Sequence, residues 1–79
     1  MDFVSTMRNI EATENQQKLE DILKSIESTE FSIEQYNILK CFAQLRLSYS
    51  ILKFNQINSI ERDVIAKALD ELRNYEHEL

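Results

Sequence analysis

The chain of 79 residues contains no glycine and no proline. At average usage, roughly nine or ten residues of these two kinds would be expected. Sites that need a positive φ angle or a close backbone approach to a ligand depend on glycine. The Walker A loop, the dinucleotide-binding turn, the nucleophile elbow and the standard EF-hand loop are therefore excluded. Tight two-residue hairpins are disfavoured as well. These absences favour an all-α protein whose function lies on side-chain surfaces.

Cysteine and histidine are each present once, as Cys41 and His77. A single cysteine cannot form an intrachain disulfide, and one cysteine with one histidine cannot build the usual zinc site. Cys41 has no histidine near it in sequence and is expected to pack as a small apolar residue near the core edge. The acidic residues are spread over outer helix faces without a catalytic pair. The sequence therefore predicts no catalytic residue, no metal and no cofactor, in a protein that is not an enzyme.

Basic residues are the minority: 9 Lys and Arg against 14 Asp and Glu, with a net charge of −5. Nucleic-acid-binding proteins usually carry a basic stripe, and anionic membranes attract basic segments, so we expect neither as a partner. No apolar run approaches the roughly 18 residues of a transmembrane helix. The N-terminal residues lack the basic and apolar segments of a signal peptide, so a cytoplasmic location is expected.

The charge is distributed unevenly along the chain. Residues 1–30 carry a net −4, residues 31–54 a net +2 and residues 55–79 a net −3. The basic residues of the central segment can pair with acids within a helical bundle, although exposed pairs of this kind contribute little each. The other interpretation is an acidic outer surface that meets a basic partner.

The clearest helix start is at Ser32. Its hydroxyl can accept from the backbone N–H of Gln35, and the Gln35 side chain can reach back, which makes a capping box. Residues 45–51 also alternate as in a strand, but turn residues are missing on both sides and the helical stripe is longer. A helix is therefore predicted over residues 32–54, with an apolar stripe formed by Ile38, Phe42, Leu45, Tyr49 and Leu52.

Three further helices are predicted, at about residues 2–11, 14–29 and 58–77. Ile10 and Leu19 would lie about 180° apart on one continuous helix, which predicts a break near residues 11–14. Two more capping boxes, Thr13 with Gln16 and Asn58 with Glu61, mark helix starts. The last helix has an apolar stripe that is widened by Ile60, Val64 and Leu69.

The connections between the three longer helices are short, which favours antiparallel neighbours. The hydrophobic content of 43% is that of a folded chain, and the length is that of one domain. We therefore predict a single all-α domain over residues 1–79. It is a small antiparallel three-helix bundle, made of a helical hairpin and an N-terminal helix, which dimerisation can complete.

Two surfaces are candidates for partner binding. On the central helix, a second apolar face lies about 140–220° from Ile38 and must be covered, either by flanking helices or by a partner. The N-terminal helix has an apolar patch that can act as a lid on the bundle or as a detachable helix that docks in a partner's groove. The predicted partner-binding residues are Ala43, Leu47, Ile51 and Phe54 on the central helix, and Phe3, Met7 and Ile10 at the N-terminus.

These surfaces predict a non-enzymatic protein–protein interaction module: a small cytoplasmic adaptor, chaperone or inhibitor that presents an apolar helix face. Its partner is another protein or a second copy of the chain. The alternative is a self-associating homodimer. In it the second apolar face of each central helix packs against the other copy, and the outer surface is acidic. A nucleic-acid regulator or DNA mimic is a third, more distant alternative.

Overall fold

A computed structural model describes residues 2–55 and 59–78 of the chain. These residues form the helices α1 (Phe3–Ala12), α2 (Gln16–Ser28), α3 (Ile33–Asn55) and α4 (Ser59–Arg73), and the single turn α5 (Tyr75–Glu78), with no strand among them. The all-α prediction is confirmed. Four helices of ten or more residues lie within the described ranges, rather than the three of the predicted bundle, because α1 is a full helix of the fold. The radius of gyration of 12.3 Å is close to the roughly 12 Å of a compact chain of this length.

The break near the N-terminus lies at residues 13–15. Thr13 ends α1, and its hydroxyl donates to the carbonyl of Asn9 at 2.7 Å. Asn15 begins α2, since its side chain accepts from the backbone N–H of Lys18 at 3.1 Å. The predicted capping box of Thr13 and Gln16 is therefore wrong, because Asn15 and not Thr13 caps the start of α2.

The start of α3 follows the sequence signal. The hydroxyl of Ser32 accepts from the backbone N–H of Gln35 at 3.1 Å. The helix then runs without interruption to Asn55, through the segment that alternates like a strand. The predicted cap at Asn58 lies outside the described residues.

Helix α3 is the centre of the fold, because α1, α2 and α4 all contact it, and α1 also contacts α5. The break at residues 13–15 allows the apolar patches of α1 and α2 to face one core, in which Ile10 and Leu19 are both fully buried. The buried apolar residues are Phe3, Met7, Ile10, Leu19, Ile26, Ile38, Leu39, Phe42, Ala43 and Leu69.

The core is concentrated at one end of α3. Its four buried residues lie between Ile38 and Ala43, and none lies between residues 44 and 55. The C-terminal half of α3 is half-buried or exposed.

Candidate functional site

Large apolar side chains are exposed where α3 ends and α4 begins. Phe54 is 80% exposed, Ile60 75%, Val64 62% and Ile51 39%. Only residues 56–58 separate the two helices, and α3 contacts α4, so these four side chains lie at the same end of the pair. We name the set Ile51, Phe54, Ile60 and Val64 the α3–α4 surface. The exposed apolar area of the four side chains sums to on the order of 400 Å², comparable in size with the apolar patches that are often functional on a monomer.

The predicted second face of α3 is divided by the fold. Ala43 is fully buried in the core, and Leu47 is half-buried at its edge. Ile51 and Phe54 are exposed. The four residues therefore do not form one free face, and only the C-terminal two are directly accessible.

The N-terminal patch lies inside the molecule. Phe3, Met7 and Ile10 are at most 5% exposed and belong to the core. Ion pairs hold the outer side of α1 to the C-terminal part of the chain. Arg8 Nε lies 2.8 Å from Glu76 Oε1, and Arg73 Nε lies 2.6 Å from Glu11 Oε1. In this conformation α1 covers the core, and a partner would reach its apolar patch only after α1 had moved away.

Two members of the α3–α4 surface were expected elsewhere. The sequence pattern assigns Ile60 and Val64, with Leu69, to a widened core stripe, yet only Leu69 is buried. If the core face of α4 is centred on Ile65, Ile60 and Val64 lie roughly 100–140° away from it at 100° per residue. That angular distance is the signal that could have identified them as exposed.

A cleft of about 300 Å³ adjoins this surface. We name it the Glu14 cleft. It is small for a ligand pocket, which usually measures about 300–1,000 Å³. Its charged residues come from the turn after α1 and from successive turns of α3. The residues that line it are Glu14, Arg46, Tyr49, Ser50, Lys53 and Phe54.

Glu14 is held at the cleft by several contacts. The hydroxyl of Ser50 donates to its backbone carbonyl at 2.7 Å. Its carboxylate oxygen Oε1 lies 3.5 Å from Lys53 Nζ and 3.7 Å from Arg46 Nη2. The same Arg46 nitrogen donates to the carbonyl of Glu11 at 3.1 Å. Two of the three basic residues of α3 thus find acidic partners within the chain. The third, Lys40, lies 5.5 Å from the centre of the Tyr36 ring.

Sequence reasoning treated the basic residues of α3 only as a net charge. Arg46, Ser50 and Lys53 are spaced by four and three residues, which places them on one side of the helix. This spacing is visible in the sequence. The approach of Glu14 is not, because it depends on how the α1–α2 turn packs against α3.

The remaining chemistry-bearing residues form no further cluster in the part of the chain that the structure describes. Within residues 2–55 and 59–78, no three His, Cys, Asp or Glu side chains are arranged to hold a metal ion. Cys41 is exposed rather than at the core edge, since it lies about 60° from Ile38 and just outside the buried stripe. The His77 side chain lies outside what is described. None of the helices over the same two ranges is both long and apolar enough to cross a membrane.

The chain matches no protein-family model, no curated protein and no solved structure.

Proposed function

We propose that this protein is a non-enzymatic protein–protein interaction module that binds a partner protein through the α3–α4 surface. The observation that carries the proposal is the exposure of Phe54, Ile60 and Val64 at one end of a helix pair. Single exposed apolar residues are common, but several close together mark interaction sites. The module acts as a cytoplasmic adaptor, chaperone or inhibitor, and the partner covers the apolar side chains that are exposed at this end.

The size of the surface supports a role in binding. Burial of on the order of 400 Å² of apolar area contributes about 10 kcal/mol before the costs of association. Those costs are roughly 4–15 kcal/mol for translational and rotational freedom alone. The α3–α4 surface can therefore supply a large part of a specific interaction, while neighbouring polar contacts supply the rest.

A second copy of the chain is a weaker candidate for the partner, because each copy carries a net charge of −5 and like net charge opposes self-association. A stable protein–protein interface buries about 800 Å² on each side, of which roughly 57% is apolar. The α3–α4 surface supplies about that apolar share for either kind of partner, so its size does not distinguish the two. The homodimer with an acidic exterior therefore remains the alternative.

The test compares two exposed apolar residues at opposite ends of α3. Wild-type chain, Phe54→Asp and Ile33→Asp are immobilised and exposed to an extract of the native host, and each captured protein is then purified for calorimetric titration. Ile33 is 82% exposed, so it is a matched control outside the proposed surface. We expect the wild type and Ile33→Asp to bind the same protein equally, and Phe54→Asp to bind it at least about tenfold more weakly. Equal binding by all three would overturn the proposal.

Sedimentation equilibrium of the isolated chain tests the alternative. We expect a monomer. A tight dimer that Phe54→Asp dissociates and Ile33→Asp does not would replace the partner-protein proposal by the homodimer.

A further inference from the structure

The Glu14 cleft has an excess of positive charge. Arg46 and Lys53 line it together, and Glu14 is the single carboxylate among the described residues that line it. The whole chain carries −5, and the segment from residue 31 to residue 54 carries +2, so the cleft lies on the basic part of an acidic protein. The cleft is thus locally positive within a surface of net negative charge.

Glu14 neutralises these two cations only loosely. Its carboxylate lies 3.5 Å and 3.7 Å from the two nitrogens, beyond the 2.7–2.9 Å of a charge-assisted hydrogen bond. The side chains of Glu14 and Lys53 are 67% and 55% exposed, and exposed pairs are weak. A second carboxylate can therefore approach Lys53 without the loss of a strong internal contact. Arg46 is only 12% exposed and keeps its hydrogen bond to the Glu11 carbonyl, so it contributes its charge from the buried side of the cleft.

The walls of the cleft combine this charge with aromatic surface. Tyr49 and Phe54 line it, and Phe54 also belongs to the α3–α4 surface. A partner segment that covers Phe54 with an apolar side chain would thus carry its neighbouring side chains to Lys53 and Arg46. We propose that the Glu14 cleft binds an Asp or Glu side-chain carboxylate of the partner protein, next to an apolar residue that covers Phe54. This inference rests on the proposed function, because it assigns the chemistry of the partner at that same surface.

The net negative charge of the chain does not prevent this contact. At physiological ionic strength the Debye length is about 8 Å, whereas the molecule extends 36 Å along its longest axis. Acidic residues on distant parts of the surface are therefore largely screened at the cleft. The charges that decide binding there are those of Lys53, Arg46 and Glu14.

The experiment uses two small probes that differ in one group. N-acetylphenylalanine carries an aromatic ring and a carboxylate. In the second probe, N-acetylphenylalanine amide, an uncharged carboxamide replaces the carboxylate. Each is titrated into the full 15N-labelled chain and followed through the backbone amide signals of Ser50, Lys53 and Phe54. We expect saturable shifts with the acid at millimolar concentration, as is usual for a fragment of this size. The amide should bind at least about two- to fivefold more weakly.

Three variants assign the effect to the cleft. Lys53→Gln should weaken binding of the acid about two- to fivefold, whereas Glu14→Gln should strengthen it, because a competing carboxylate is removed. Lys40→Gln is the matched control: Lys40 is another basic residue of α3, about 20 Å from Lys53 along the helix. It should leave binding unchanged. Thermal melts of each variant check that the fold is kept.

Several results would overturn the proposal that the cleft binds a carboxylate. One is equal affinity for the acid and the amide. Another is an unchanged affinity in Lys53→Gln. A third is inorganic phosphate shifting the same signals at lower concentration than the acid, which would assign the cleft to phosphate. None of these outcomes affects the dependence of partner capture on Phe54, so failure of the cleft and failure of the α3–α4 surface are distinguishable.

Discussion

Two phenylalanines on α3 provide a matched test of where the core ends. Phe42 is fully buried, and Phe54 is 80% exposed, only twelve residues further along the same helix. The same substitution to alanine at each position removes the same atoms from two different surroundings. The difference in the free energy of unfolding between the two variants therefore measures the surroundings alone.

The expected magnitudes are far apart. Phe42→Ala removes a ring from a packed core and should destabilise the fold by about 3–5 kcal/mol. Only about a fifth of the Phe54 side chain is buried, so Phe54→Ala should lose only about 0.3–0.6 kcal/mol of apolar burial. The higher helix propensity of alanine offsets much of that, so the net change should lie within about 0.5 kcal/mol of zero. A chain of this length has a total stability of roughly 4–12 kcal/mol, so Phe42→Ala approaches the limit of folding.

Urea denaturation followed by far-ultraviolet circular dichroism measures both variants against the wild type. Thermal melting should show Phe42→Ala lower by at least about 12 °C and Phe54→Ala nearly unchanged. The measurement is repeated over a range of protein concentrations, because a dimer formed through Phe54 would make its effect concentration-dependent.

A large loss of stability in Phe54→Ala at every concentration would refute this reasoning. It would mean that Phe54 packs inside the folded monomer, and the α3–α4 surface would then be part of the core. A small loss of stability in Phe42→Ala would contradict the placement of Phe42 in the core.

Three further predictions concern the helix ends and α1. Ser32→Ala removes the hydroxyl that caps α3 and should lower the free energy of unfolding in urea by about 1 kcal/mol, whereas no change would show that the cap is dispensable. The Asp2 side chain accepts a hydrogen bond from the backbone N–H of Ser5 at 2.6 Å, and this bond holds the pKa of Asp2 below its ordinary value. The stabilisation is thus present above the ordinary pKa and is lost as the pH falls through the lower, folded value. A carboxyl titration by NMR should give a lower midpoint in the folded chain than in urea, and equal midpoints would contradict the cap. Met7→Ala should destabilise the fold by about 2–5 kcal/mol if α1 is part of the core, and a loss below about 1 kcal/mol would favour a detachable α1.

The parts of the fold that follow from local chemistry were predictable. The cap at Ser32, the apolar spacing of α3 and the opposed patches around Ile10 and Leu19 involve residues close in sequence. They are sufficient for the all-α assignment, the start of α3 and a break after α1. The exact residues at that break could not be predicted, because Thr13 and Asn15 have similar side-chain chemistry and either could cap a helix there.

The candidate site was only partly predictable, for a physical reason. Which part of α3 is buried depends on where the neighbouring helices pack, and the apolar pattern continues past the point where burial ends. Ala43 and Phe54 belong to one face by angle, yet the first is core and the second is surface. The cleft depends on the contact of Glu14 with Arg46 and Lys53, across more than thirty residues. The spacing of residues along a single helix cannot predict that contact.

The two threonines that end α1 and α2 have a consequence for attempts to stabilise the protein. Thr13 and Thr29 adopt φ angles of −102° and −103°, and each hydroxyl donates to a carbonyl four residues earlier at 2.7 Å. Glycine is often introduced at helix ends because it tolerates positive φ. At these two positions it would gain nothing in the folded state, would remove the hydroxyl bond and would increase the conformational freedom of the unfolded chain. The common remedy for a weak helix end would therefore weaken this protein, and the turn that aligns α1 with the core would be the first to loosen.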